Sequence, residues 1–226
     1  MPTDEPVARH SQAHEPELIT DPIKKAELEA SNGLRQYDLA VNFVQQALDR
    51  GAFRLRLSLI LSLHRAALEG LSNYAGNFRP AGVAIIGSKH QPVPAHLVPG
   101  LVEEMCDYVN DRWSERRIAF HLGAYVMWRL NWIHPFADGN GRTSRALSFV
   151  VLSARLKAIL PGTPTLPELI VENRDAYVGA LDAADAAYLA GRIDVSKMEE
   201  VITALAGKQV ASFLDENGGI FPGEQP

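Results

Sequence analysis

Residues 118–133 constrain the fold more than any other stretch of the chain. Ile118, Phe120, Leu122, Tyr125, Met127, Trp128, Leu130 and Trp132 place apolar side chains nearly all the way round a helix. A helix with no polar face has nothing to offer water and belongs in the middle of a bundle. The run contains His121, Arg129 and Asn131 and falls short of the ~20 residues needed to span a bilayer, so a membrane segment is excluded. It ends at His134-Pro135, where proline removes a backbone donor and disfavours helical geometry in the residue before it.

The rest of the chain supplies the helices that surround it. Asp21-Pro22 reads as an N-cap followed by a proline at the first helical position, opening a helix that runs to Gly51, with Asn32-Gly33 as a candidate interruption. Leu57, Leu61 and Leu68 mark a second helix within 55–71, and residues 95–113 read as a third. Beyond the central run, Leu147, Val150, Val151, Ala154 and Ala158 mark a helix closed by Pro161-Gly162. A short helix from Leu166, a longer one over 175–189 and a last one over 194–216 follow, the last ended by Asn217-Gly218-Gly219. Residues 76–99 differ: Val83, Ala84, Ile85, Ile86 and Gly87 sit among glycines and prolines, which predicts a hairpin or an extended flap. The expected architecture is an all-α bundle with a small β-hairpin flap. Residues 1–20 would form a flexible arm and 21–205 the folded domain with its N-terminal helix. Residues 206–217 would be the end of the last helix and 218–226 a flexible tail.

Composition narrows the functional classes. A chain of 226 residues is enough for one medium domain with a proper core. A formal net charge of −5 gives no basic face for nucleic acid, so an anion site has to be local, built against the overall sign. Cys106 is the only cysteine, which rules out an intramolecular disulfide and fits a reducing, cytoplasmic compartment. In its helical, apolar setting it reads as a small core residue and not a nucleophile. Residues 1–6 are acidic and proline-broken, unlike a signal peptide.

Residues 134–145 concentrate the chemistry. The central helix stops, a loop runs through 138–141, and a new helix is expected near Arg142. Gly139 and Gly141 permit positive φ and let backbone N–H groups approach a ligand closely. Arg142 and Arg145, three apart, share a face of the first helical turn, where a cation costs a few tenths of a kcal/mol, roughly, against the helix dipole. That placement makes sense if a polyanion sits there, because guanidinium pairs bidentately with phosphate at a helix N-terminus. Asp138 is a hard oxygen ligand suited to Mg²⁺ bridging such phosphates. His134 has the proton affinity to deprotonate a hydroxyl near neutral pH. Each residue alone has a plainer reading: Asp138 as a cap, His134 as a buried hydrogen-bonded ring, the arginines as ion-paired surface, Gly-Asn-Gly as a turn. Those readings are independent of one another, whereas a phosphate site accounts for all of them together. The P-loop pattern is absent, since arginines stand where its lysine would be.

The stretch resembles the signature of the Fic family, His-x-Phe-x-(Asp/Glu)-Gly-Asn-Gly-Arg-x-x-Arg, and matches it at every specified position; the resemblance extends over roughly 56–205. It implies the Fic helical core with its flap, and transfer of AMP from Mg²⁺-bound ATP to a tyrosine, threonine or serine hydroxyl of a protein, with loss of pyrophosphate. By the same resemblance His134 is the base and Asp138 holds Mg²⁺. Gly139, Asn140, Gly141 and Arg142 form the hole for the transferring and adjacent phosphates, Arg145 reaches the terminal phosphate, and Phe136 fixes the loop in the core. Tyr177 stands where the family often has an aromatic near the nucleotide, core packing being the other reading. The flap of Val83, Ala84, Ile85, Ile86 and Gly87 would align the target by strand addition. Many members are held off by a helix reading (Ser/Thr)-x-x-x-Glu-(Gly/Asn). Ser212, Glu216 and Asn217 match that pattern, a solvated helix end being the alternative, while the equivalent pattern near residue 26 is absent. Self-modification and a homodimer stay open. So do other phosphoryl chemistries of the fold (UMP transfer, kinase activity, removal of AMP) and a non-catalytic nucleotide-sensing module.

Overall fold

A computed structural model describes residues 9–13 and 15–216; residues 1–8, Asn217 and the 218–226 tail lie outside the described residues. Helix α1, Pro22–Arg50, begins as its sequence requires: the Asp21 carboxylate accepts from the N–H groups of Ile23 (3.0 Å) and Lys24 (3.3 Å). It ends on Gly51 in the left-handed region. Asn32-Gly33 does not interrupt it. Asn32 is buried, and its amide donates to the carbonyls of Ala67 (3.3 Å) and Glu69 (2.8 Å) at the end of α2, Leu57–Leu68. Gln36, one turn later, donates to Leu63 O at 3.0 Å. Polar residues that looked like a break are the bonds that hold two helices together.

The apolar run forms α4, Ala119–Ile133, packed on α5 (Asn140–Leu156), α8 (Ser196–Glu216), α3 (Val98–Asp111) and α7 (Arg174–Leu189). Gly123 sets the closeness of α4 to α5: a Cβ there would lie 3.3 Å from Ser148 Oγ and 3.5 Å from Leu152 Cβ. The cation within the run, Arg129, is buried with its guanidinium over the rings of Trp132 and Tyr188 at 4.5 and 4.8 Å. Cys106 is a free, buried thiol on α3 that burial pushes up to about 12, so it is inert as expected. Helix α6, Leu166–Glu172, starts with a Thr165/Glu168 capping box. Among the described residues no helix is long and apolar enough to cross a membrane.

The small β element has an origin the sequence did not disclose. Strand β2 is Ala84–Ile86, and its partner comes from the arm, not from within 76–99. Strand β1, His10–Gln12, pairs antiparallel with it in the register His10↔Ile86, Ser11↔Ile85, Gln12↔Ala84. The described part of the arm is docked along its length. Arg9 forks onto both carboxylate oxygens of Asp182 on α7 (2.8 Å each) and donates to Gly87 O at 3.2 Å. Glu15 accepts from Ser72 Oγ (2.8 Å) and Asn73 N (2.5 Å).

Candidate active site

The loop between α4 and α5 is built from buried bonds. His134 caps α4 in the left-handed region, at φ 53° and ψ 59°, a conformation that costs a non-glycine residue on the order of 1 kcal/mol. Arg79 holds it there: its backbone N–H donates to Pro135 O at 2.9 Å and its Nε to His134 O at 2.7 Å, while its two amino groups reach Ala81 O and Val93 O. Phe136 is fully buried and stacks on His64 with ring centroids 3.7 Å apart. Gly76 N–H donates to His64 Nδ1 (3.0 Å), so Nε2 carries the proton and donates to Asp138 O (3.0 Å). The Asn140 side chain spans the loop, accepting from Phe136 N (3.0 Å) and donating to Phe136 O (2.8 Å). Gly139 at φ 75° leaves no room for a Cβ, which would fall 2.3 Å from the buried Leu68 Cδ2.

One expectation changes here. Helix α5 starts at Asn140, not near Arg142, so Gly141 lies within its first turn and only Gly139 has positive φ. The Asn140 amide bonds Phe136 through both its oxygen and its nitrogen, and the nitrogen also lies 3.4 Å from Ser11 Oγ in the cavity.

His134 is 5% exposed, and burial lowers its pKa to about 4. The ring is neutral at neutral pH. Its Nδ1 lies 3.2 Å from Asn131 O, which can only accept, so Nδ1 bears the proton and Nε2 presents its lone pair. The Ser11 hydroxyl of β1 donates to that Nε2 at 2.8 Å. A neutral base with its lone pair on a hydroxyl is the ground-state geometry of proton abstraction.

The other wall is cationic. The first turn of α5 has no side-chain cap and no acidic residue, leaving its N–H groups open to an anion. Arg145 lines the same cavity and makes no hydrogen bond or ion pair among the described residues; burial works against its charge. Arg142 pairs with Asp138 at 2.8 Å and lies 3.8 Å from Glu29 of α1. Tyr177, on α7, lines the cavity with its hydroxyl accepting from Asn131 Nδ2 at 2.9 Å. The cavity holds about 320 Å³ and brings together Ser11, His134, Asp138, Gly139, Asn140, Gly141, Arg142, Arg145 and Tyr177. Its size is that of a small-ligand site. Asp138 is more than half exposed, and no cluster of three or more His, Cys, Asp or Glu able to hold a metal exists among the described residues. A single carboxylate is a donor set Mg²⁺ takes when the oxygens of a bound substrate complete its shell.

Of the flap residues, Ala84, Ile85 and Ile86 form β2, Ile85 lines the cavity, and Gly87 turns at φ 75°. Val83 precedes the strand. The C-terminal residues are not part of the constellation. Ser212 donates to Thr163 O at 2.9 Å, Glu216 is exposed and makes no ion pair with Arg145 among the described residues, and Asn217 lies outside them. Sequence reasoning missed Arg79, His64, Asn131 and Ser11. The family pattern had covered none of them.

The Fic/DOC family model matches residues 54–152, from just before α2 through most of α5. That match takes in 99 of the 226 residues, and over it the chain is similar to a Fic domain. Protein adenylyltransferase fic-1 of Caenorhabditis briggsae is 27% identical over 193 residues, 84% of this chain and 36% of that protein. A protein of Aquifex aeolicus named a probable protein adenylyltransferase is 30% identical over 132 residues, 57% of this chain and 36% of that protein. The chain thus spans about a third of the length of these relatives. Among solved structures, Caenorhabditis elegans Fic-1 (residues 134–508) superposes with a TM-score of 0.64 at 22% identity, covering 83% of this chain and 52% of that one. A Fic-domain signaling protein of Bacteroides thetaiotaomicron gives 0.65 at 18% identity, covering 86% and 76%. The matched stretch contains His64, Arg79, β2 and all of residues 134–145; the arm with Ser11 lies before it and Tyr177 after it.

Proposed function

We propose that this protein transfers AMP from ATP to a hydroxyl of a protein side chain. One observation carries the reading: a neutral, Nδ1-protonated His134 and an unpaired Arg145 beside an uncapped helix N-terminus face the same cavity. The base takes the proton from an incoming hydroxyl at Nε2 as its oxygen attacks the α-phosphorus, and pyrophosphate leaves. The N–H groups of α5 with Gly139, Asn140, Gly141 and Arg142 hold the phosphate chain, and Arg145 meets its far end. Catalysis is then mostly positioning and charge neutralisation. Asp138 would hold Mg²⁺, which when bound supplies positive charge to the phosphate oxygens. Tyr177 closes the nucleotide side, and the names of the relatives support adenylyl transfer over other chemistries of the fold.

Incubation with ATP labelled at the α-phosphate or at the γ-phosphate tests this. Label reaching protein from the α position only, and lost in His134→Ala, is the expected result. Label arriving from the γ position would make the protein a kinase, and thermal stabilisation by ATP with no transfer would make it a sensor.

A further inference from the structure

We propose that Ser11 is an acceptor site of this protein, modified by the chain's own catalytic centre in cis. The inference rests on the adenylyl-transfer reading and adds the substrate to it. Strand β1 occupies β2 as an added strand would, with Ser11 directly opposite Ile85. Cross-strand partners share a face, and both residues line the cavity. Alternation along the strand leaves His10 and Gln12 exposed and turns Ser11 inward. Its hydroxyl donates to His134 Nε2 at 2.8 Å and lies 3.4 Å from Asn140 Nδ2, a bond on each side that orients the oxygen. Arg9 on Asp182 and Gly87, and Glu15 on Ser72 and Asn73, tie the segment down before and after Ser11. A merely covering strand would not need a hydroxyl set on the lone pair of His134.

In the step, Ser11 Oγ forms a bond to the α-phosphorus of ATP and the bond from that phosphorus to the bridging oxygen of the β-phosphate breaks. Pyrophosphate departs with that oxygen. The hydroxyl proton passes to His134 Nε2 and from there to solvent. ATP is the only co-reactant, and the product is a serine phosphodiester of AMP.

The test incubates the full chain with Mg²⁺ and α-labelled ATP over a wide range of protein concentration, followed by peptide mapping. Label is expected on Ser11 with a first-order rate constant independent of protein concentration. Ser11→Ala is expected to abolish self-labelling and Ser11→Thr to retain it, while Arg9→Ala, which loosens the arm, slows it about tenfold. A peptide of residues 9–15 added to the Ser11→Ala chain is expected to take up label in trans. Label on another hydroxyl with Ser11 bare, or self-labelling of Ser11→Ala at the wild-type rate, overturns the assignment and leaves adenylyl transfer standing. Label on neither chain nor peptide nor any added protein removes the adenylyl-transfer reading and this assignment with it.

Discussion

The two sides of the cavity are held by different kinds of force. On the α4–α5 side, Arg79, His64 and Asn140 donate to carbonyls from within the core, and the loop they shape is buried. On the arm side, β1 is fastened by Arg9 to the half-exposed Asp182 and by Glu15 to Ser72 and Asn73 at the surface. Removing a partner from a buried bond leaves a desolvated group behind, about 1–3 kcal/mol each. Breaking an exposed ion pair costs about 0–1 kcal/mol. His134 and the first turn of α5 are therefore held by buried bonds, whereas β1 is tied by contacts expected to open more readily.

His134→Ala breaks the comparison most deeply. Loss of the base is expected to lower α-label transfer about 10²- to 10⁴-fold with little change in the urea midpoint. Arg79→Ala tests the rigid side. Three carbonyls lose their donor, and urea unfolding is expected to show a loss of about 3 kcal/mol or more. Acid strikes the same side. Burial lowers both His64 and His134 to about 4 from the ordinary 6.5, so between those values the unfolded chain binds protons that the folded chain refuses. Stability is expected to be full above pH 6.5 and to fall as pH drops toward 4, by as much as about 3 kcal/mol for each ring. Replacing His64 with glutamine should flatten that slope in a pH series of urea midpoints. Arg9→Ala sharpens the other side: its effect on stability is expected to stay under about 1 kcal/mol. Hydrogen exchange should show β1 amides exchanging far faster than those of α4 in wild type, and faster still in the variant.

Much of this was legible from residue order. Local rules found the helices because caps and stops are local: Asp21-Pro22 and Gly51 bound α1, and Pro135 ends α4 as its geometry demands. The 134–145 motif was legible because all its chemistry lies within a few turns of chain. The missing parts depend on distance along the sequence. Arg79 stands in a glycine- and proline-rich stretch that reads as irregular, and it meets His134 only across the fold. His64 reads as one more residue of a helix until its ring is seen stacked on Phe136. Asn32-Gly33 misled because its turn chemistry is real locally but is overridden by bonds to α2. The arm misled in the opposite direction. A polar, proline-broken segment cannot bury a core of its own, yet a sheet edge gave β1 backbone partners that no composition rule foresees.

Because the strand lying on β2 belongs to the same polypeptide, dilution does not weaken it. Any foreign peptide seeking that edge meets a resident competitor at an effective concentration on the order of millimolar, set by tether length. The groove thus carries its own affinity threshold: segments that pair with β2 less well than His10–Gln12 are turned away without a clash or a closed gate. Shortening or lengthening the chain between β1 and α1 would move that threshold without altering a single residue of the cavity.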